Sequence, residues 1–410
     1  MAQLNITLNQ DEILQLMSND REGAFKKLLQ DSLNSILKAE SDNQIGAEPY
    51  QRSDARLDYR NGSRERDLIT RIGTITLKVP RHRDVPFKTM IFDNYSRSEA
   101  ALIATMTELV VNGVSTRKVG QVVLTLCGTS FSKSTVSELC KELDKNIQAF
   151  RDRPLTEDYP FVIVDATYFK VREDHKIIAK ALMIAYAVND KGRRDIIGFG
   201  SYPNESKETW MDFLSKLKAR GLKGLKLVTS DAHEGIRYAL SRVFPEVPWQ
   251  RCQFHFMRNI LTNVPKKYQE GLRCELQEMF NCPTLEDARR KRDSIIEDYS
   301  DIAEKAMQTL DEGFDSTMTV MLLPEPLRKL MRTSNHIERL NKELKRRSNV
   351  IGIFPNEASL ERLMGAVLME LNDRSQSKNP LFYQPAYHML LEQSDKLISV
   401  AKEQRLLLVA

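Results

Sequence analysis

FVIVD, residues 161–165, is a run of four apolar residues closed by an aspartate. So short and unbroken a run reads as a strand buried on both faces, since a half-exposed strand would alternate. Working outward, KIIAKALMIAYAVND (176–190) predicts a second strand and RDIIGFGSY (194–202) a third, with the turn near Asp190–Gly192. SKETWMDFLSKLKARG (206–221) predicts a helix capped by Ser206 and stopped by Gly221. LKLVTSD (225–231) predicts a fourth strand and HEGIRYALSRVF a helix. VPWQRCQ (247–253) predicts a fifth strand, and FHFMRNIL begins another helix.

The order is three strands in a meander, then helix, strand, helix, strand, helix. That is the ribonuclease H-like order. Trp210 and Trp249 fall within core-like patterns. Residues 265–330 (KKYQEGLRCELQEMF, EDARRKRDSIIEDY, SDIAEKAMQTLDEGF) are almost wholly helical and charged, and read as an inserted helical subdomain. The expected fold class is an α/β ribonuclease H-like core with an all-α insertion, preceded by a mostly helical region with a small β-hairpin. The expected divisions are 1–97 (helical region, basic arm and hairpin), 98–155 (helix–turn–helix), 156–264 (first part of the core), 265–330 (insertion), 331–375 (a helix completing the core) and 376–410 (helical tail).

Composition sets wide bounds. At 410 residues the chain has room for about two to four domains, and 41% hydrophobic residues suffice for cores. A net charge of +5 permits a nucleic-acid partner without demanding one. The five cysteines form no CxxC pair, which points to a reducing compartment. The first twenty residues lack the pattern of a signal peptide, and no apolar run is long enough for a membrane span. A soluble, cytoplasmic chain with no membrane partner is expected. The absence of a G-x-x-x-x-G-K-[ST] loop gives no support for ATP use.

Toward the N-terminus, Ile13, Leu14 and Met17, then Phe25, Leu28, Leu29, Leu33, Ile36 and Leu37, recur at helical spacing. A polar, turn-rich stretch follows (41–67) and reads as an extended arm or linker. DLITRIGTITLKVPRHRD then alternates Ile75, Leu77 and Val79 with polar residues, predicting a hairpin that bends near Ile72–Gly73. Residues 51–90 carry ten Lys/Arg against five Asp/Glu, which suits a solvated surface or an arm on a nucleic-acid backbone. STRKVGQVVLTLCGTSFSKSTVSELCKELDKNI has helix–turn–helix form. Ser115 would cap its first helix, with Val119, Val122, Val123 and Leu126 apolar, Gly128 would end it, and Ser132 would open the second. Arg117, Lys118, Lys133, Ser134 and Thr135 are then placed to reach DNA, although a plain helical hairpin has the same spacing.

Asp165 and Asp231 each close a strand. Carboxylates at strand ends are held rigidly yet face the open edge of the sheet. Two of them with a third nearby could bind Mg²⁺ through oxygen; singly, each could just as well cap a turn. The third candidate, Glu338, sits in RTSNHIERLNKELKRRSNV (332–350), which holds six Lys/Arg and two Glu. Helical geometry allows either a surface pair with Lys342 or a metal ligand on an inward-docked helix, and assigns Glu343 to an ordinary salt bridge. Cys252-x-x-His255 lacks the two further ligands that a zinc site needs, since Cys274 and Cys282 lie in the insertion. It reads as a pair beside a cleft, with His255 able to meet a phosphate or assist a proton.

VDATYFKVR, SDAHEGIRYAL, WQRCQFHFMRNI and RTSNHIERLNKELKRRSNVIGIFPN, in this order, resemble the bacterial Mutator-type insertion-sequence transposases. The resemblance extends upstream through GTITLKVPRHRD and NGVSTRKVGQVVLTLCGTSFSKSTVS and covers roughly residues 50–370. It implies an Asp-Asp-Glu triad on Asp165, Asp231 and Glu338, spaced by 66 and 107 residues. It places the family's Cys/Asp-x-x-His signature on Cys252 and His255. It implies two Mg²⁺ ions (Mn²⁺ able to substitute) and double-stranded DNA, both inverted-repeat ends and target, as partner. It further implies a homodimer and a copy-out, paste-in route through a circular intermediate. Arg332, Asn335, Arg339, Lys342, Arg346 and Arg347 would contact phosphates near the scissile bond. A nuclease or resolvase that cuts without joining, and a catalytically inactive DNA-binding regulator, are the alternatives.

Overall fold

The computed structural model describes residues 21–49, 51, 56–70, 73–89, 100–112, 116–127, 136 and 140–408. Chain contacts divide it into two units, Met1–Lys141 and Glu142–Ala410.

In the first unit, helix α1 (Arg21–Ile45) packs on a hairpin of β1 (Arg60–Thr70) and β2 (Gly73–His82). The alternation of Ile75, Leu77 and Val79 buries all three beside Leu37 and Leu68. Asn34 accepts the Lys78 backbone N–H at 2.8 Å and Gln30 donates to the Thr76 carbonyl at 2.7 Å, so α1 covers groups that an edge strand leaves unpaired. Gly73 takes φ +101° at the bend, a region that L-residues avoid. The stretch read as a linker is thus partly structured: α1 runs to Ile45 and β1 starts at Arg60. Residues 61–65 are exposed, so β1 shows no apolar alternation there; its pairing with β2 makes it a strand.

Helices α2 (Ala100–Val111) and α3 (Thr116–Cys127) follow, and Met106, Val119, Val123 and Val136 form a small core. Val122 is 38% exposed, contrary to its expected apolar role. Ile13, Leu14, Met17, Ser115, Gly128, Ser132, Lys133, Ser134 and Thr135 lie outside the described residues.

The second unit opens with α4 (Leu143–Asp152) and is built on a five-stranded mixed sheet. Its strands are β3 (Phe161–Glu173), β4 (Lys176–Val188), β5 (Arg194–Tyr202), β6 (Leu227–Ser230) and β7 (Trp249–Arg251), in spatial order β5-β4-β3-β6-β7. The first three run antiparallel, while β6 and β7 extend the sheet in parallel to β3. Gly192, at φ +74°, makes the β4–β5 turn; a Cβ there would lie 2.5 Å from the Phe382 carbonyl oxygen. Ser206 caps α5 (Lys207–Ala219), and α6 (Glu234–Val243) follows β6. These two helices cover one sheet face through Trp210, Phe213, Leu217, Ile236 and Leu240, against Val162, Val164, Met183 and Ala185. Trp210 and Trp249 are both buried.

After β7, α7 (Gln253–Thr262) leads into α8 (Lys266–Phe280) and the long α9 (Leu285–Met318), which is broken at Ala303. Phe256, Ile260, Leu276, Met279, Leu310 and Phe314 share one apolar core, which ties the helical insertion to α7. Next come α10 (Glu325–Met331), α11 (Asn335–Ser348), α12 (Glu357–Gln376), α13 (Gln384–Glu392) and α14 (Ser394–Leu406). Helix α12 lies on β5 and β3, where Gly365 brings its backbone close to Phe199 and Ile147. No helix of the described residues is long and apolar enough to cross a membrane.

Candidate active site

Asp165 and Asp231 stand at one edge of the sheet. Parallel pairing of β3 with β6 ends at Ile163↔Thr229, and Asp165 and Asp231 are the residues two further along each strand path. Asp165 is therefore not at the end of its strand, because β3 continues to Glu173 beside β4. It stands where β3 loses its parallel partner, and the carboxyl ends of parallel strands are where open α/β sheets form crevices. β7 pairs Arg251 with Ser230, so Cys252 emerges at the same edge and α7 starts there.

Glu338 arrives from more than a hundred residues away, on α11. Three backbone-anchored contacts hold the segment before it across the strand ends. Thr229 Oγ1 donates to the Met331 carbonyl at 2.9 Å, the Gln253 N–H donates to the Arg332 carbonyl at 2.9 Å, and the Ser334 N–H points at Cys252 Sγ at 3.3 Å. Ser334 does not cap α11; its hydroxyl donates to Glu338 Oε1 at 2.8 Å and lies 3.2 Å from Cys252 Sγ.

His255 links two of the acids. Its Nδ1 contacts Asp231 Oδ1, and its Nε2 lies 3.6 Å from Glu338 Oε1. The Asp231 carboxylate, assisted by Cys252, pushes the imidazole up to about 10, which favours its protonated form. Asn341, one turn beyond Glu338, donates its side-chain amide to Asp165 Oδ2 at 2.7 Å, and the Ala166 N–H donates to Oδ1 at 2.8 Å. Burial and the nearby Asp231 charge push the Asp165 carboxyl up to about 7. The structure thus brings Asp165, Asp231 and Glu338 together, with His255 and Asn341 between them.

Among the described residues, one cluster of donor atoms is close enough to hold a cation as it stands. Asp231, Cys252 and His255 offer ligand atoms within 4.8 Å of one another. That set is a poor zinc site: Cys252 Sγ takes the Ser334 N–H, His255 already pairs with Asp231, and only these three donors lie within 4.8 Å of one another among the described residues. The three carboxylates are hard oxygen donors suited to Mg²⁺ or Mn²⁺. Two features fit a cation there. Asp165 is desolvated beside a like charge, and Asn341 Oδ1 is buried with no hydrogen-bond partner among the described residues. Asn341 and Ser334 were not singled out in the sequence; their only signal was helical spacing, three after and four before Glu338.

The basic helix divides more finely than its sequence shows. Asn335, Arg339 and Lys342 are exposed. Arg346 is exposed and forks onto Glu343 at 2.6 and 2.7 Å. Arg347, expected on phosphate, is instead 2% exposed and bound to Glu343 at 2.9 Å and Glu370 at 3.2 Å. Helix α12 covers it, so it joins α11 to α12 rather than facing solvent. Arg332 is likewise committed, donating to Gln253 Oε1 at 2.8 Å, Asn281 Oδ1 at 2.9 Å and the Phe280 carbonyl at 3.0 Å. Glu338 meets His255 and Ser334, not Lys342. In the first unit, Arg117 and Lys118 lie on α3, with Lys118 exposed.

Residues 1–377 match the family described as transposase, Mutator family. The chain is 41% identical over 377 residues to the transposase for insertion sequence element IS256 in transposon Tn4001 of Staphylococcus aureus, covering 91% of this chain and 96% of that one. It is 38% identical over 364 residues to the transposase for insertion sequence element ISRM5 of Rhizobium meliloti, covering 89% and 91%. It is 36% identical over 351 residues to the transposase for insertion sequence element IS1081 of Mycobacterium tuberculosis, covering 85% of each. The chain belongs to the Mutator family of transposases.

Proposed function

We propose that this chain is a DNA transposase that cuts a strand at the end of an insertion sequence and joins the freed 3′-hydroxyl to DNA. The observation that carries the reading is the meeting of Asp165, Asp231 and Glu338 around His255 and Asn341. The strand order β5-β4-β3-β6-β7, with only β5, β4 and β3 antiparallel, supports a ribonuclease H-like core.

Asp165, Asp231 and Glu338 would hold two Mg²⁺ ions, or Mn²⁺ in their place. Bound there, such ions lower the pKa of the attacking oxygen and offset charge on the leaving one. The chain's own residues set the geometry: Asn341 orients Asp165, while Ser334 and His255 fix Glu338 and Asp231. In the first step a water oxygen bonds to phosphorus and the bond to the 3′-oxygen breaks, leaving a 3′-hydroxyl and a 5′-phosphate. In the second, that hydroxyl attacks another phosphodiester, so one phosphorus–oxygen bond forms as one breaks and no ATP is consumed. Asn335, Arg339, Lys342 and Arg346 supply cations and an amide toward the DNA backbone. The first unit would bind the terminal inverted repeats, a homodimer would pair two ends, and the route would be copy-out, paste-in.

The test is a duplex bearing the element's end, incubated with Mg²⁺ or Mn²⁺. Cleavage and a strand-transfer product are expected, and both should vanish in Asp165→Asn, Asp231→Asn and Glu338→Gln. Folded variants that still cleave would overturn the triad; cleavage without a joined product would favour a nuclease or resolvase.

A further inference from the structure

A cavity of about 550 Å³ lies between α7, α8, α10 and α11, with His336 and Arg339 of α11 among its lining. Its size falls within the roughly 300–1,000 Å³ of small-ligand pockets. Its chemistry is unusual for this chain. Lys329, Arg332 and Arg339 line it, yet no carboxylate does, although the chain holds 56 Asp and Glu. Phe254, Met257, Phe280 and Leu330 give it an apolar wall, and Gln277, Asn281 and Asn335 bring amides.

Phe254 is the telling residue. It is 41% exposed, while Phe256 on the same helix is fully buried in the insertion core. The open part of the Phe254 ring faces a cavity lined by cations, and an aromatic among cations suits a partner with a flat apolar face. Its ring meets that of His255 at 5.4 Å, edge to face. His255 in turn touches Asp231 and faces Glu338. An open aromatic surface therefore stands one residue from the acid cluster, at the mouth of a cationic cavity. The floor is preset: three hydrogen bonds fix the Arg332 guanidinium, and none of them goes to a carboxylate.

Cations for a phosphate, amides for a base edge and an aromatic for a base face are the parts of a nucleotide site. We propose that this cavity receives one nucleotide swung out of the duplex beside the scissile phosphate, its base on Phe254 and its phosphate against Lys329 and Arg339. A base lying on Phe254 inside the cavity would have left the stack. Extrusion would also bend the strand and turn the scissile phosphate toward the carboxylates. The proposal rests on the transposase reading above and names the DNA conformation that the site accepts.

The test uses the full chain and end duplexes with 2-aminopurine placed in turn at each position flanking the cleaved bond, in Ca²⁺ to hold back cleavage. At one position the fluorescence should rise several-fold on binding, and Phe254→Ala should remove most of that rise. In Mg²⁺, Phe254→Ala should cleave the paired duplex about ten- to a hundredfold more slowly than wild type. Its rate should return to within about threefold of wild type when that nucleotide is abasic, since an unpaired position leaves little to extrude. No brightening at any position would overturn the proposal, as would a Phe254→Ala rate that is unchanged, or equally reduced, on both duplexes. Wild-type cleavage that Asp165→Asn abolishes, without brightening, would sink the cavity proposal alone. No wild-type cleavage of any substrate would sink the transposase reading itself.

Discussion

Asn341 donates its side-chain amide to Asp165 at 2.7 Å, across 176 residues of sequence. It joins the helix that carries Glu338 to the strand that carries the first aspartate. A hydrogen bond to a charged group contributes about 1.5–3 kcal/mol. If this bond is fully present in the transition state, Asn341→Ala should slow cleavage by about ten- to a hundredfold. Asn341→Asp should be worse, because a fourth carboxylate adds repulsion where Asp165 already resists ionising. Single-turnover cleavage rates, with circular dichroism to check folding, decide it. A wild-type rate in Asn341→Ala would remove Asn341 from the site.

Glu338 and Glu343 lie on the same helix and should fail differently. Glu338→Gln should abolish cleavage with the melting temperature nearly unchanged. Glu343→Gln should act on stability, since it withdraws a carboxylate from the buried Arg347, which Glu370 also contacts. Losing a partner of a fully buried pair costs about 3–5 kcal/mol. Glu343 is 24% exposed and Glu370 remains, so roughly 1–3 kcal/mol is expected. Urea unfolding of the two variants separates the effects.

The same carboxylate predicts a pH dependence. Hydrogen bonds from Arg346, then Arg347, push Glu343 down to about 2 from 4.5. A depressed folded value means that the unfolded chain binds the proton more readily. The contribution is therefore present above the unfolded value and is lost as pH falls through the folded one. The stability gap between wild type and Glu343→Gln should be constant above pH 5 or so and should close between about 4.5 and 2. A gap that widens on acidification would contradict the pairing.

Cation binding should distinguish hard from soft ligands. With chelated protein, Mg²⁺ or Mn²⁺ at about a hundred times its Kd should add about 2.7 kcal/mol of stability. Asp165→Asn should abolish the thermal shift, and Cys252→Ala should keep most of it. A shift seen only with Zn²⁺, and lost in Cys252→Ala, would assign the metal to Asp231, Cys252 and His255 instead.

At Gly313, α9 packs tightly against Phe256 of α7. An added Cβ would meet Phe256 Cε2 at 2.2 Å and Arg251 Nη1 at 2.6 Å. Gly313→Ala should cost about 1–3 kcal/mol through overpacking. Because Phe256 adjoins His255 on α7, cleavage should fall as well. A differential scanning trace matching wild type would show that the two helices can part at no cost.

Much of the sheet was legible because its strands announce themselves locally. FVIVD, the apolar stretch from 176 and RDIIGFGSY are strands whose burial is written in composition, and Ser206 caps α5 where its position implies. The hairpin was legible from Asp67 onward, but the first part of β1 was not, since residues 61–65 are exposed and only β2 makes them a strand. Two aspartates that follow apolar runs and one glutamate among cations could be picked out as candidates from sequence, because residue type and strand order are local or sequential facts; that β3 runs on past Asp165 to Glu173 could not. Which neighbours serve them could not be chosen. Ser334 looks like a cap and Asn341 like any polar helix residue until α11 crosses the strand ends. Arg347 looks like Arg346 until Glu370, 23 residues later, returns on α12 and buries it. Sequence determined the elements and the charged groups on offer; tertiary structure alone decided which charges are desolvated and paired and which remain open to a partner, because both depend on what distant segments exclude from water.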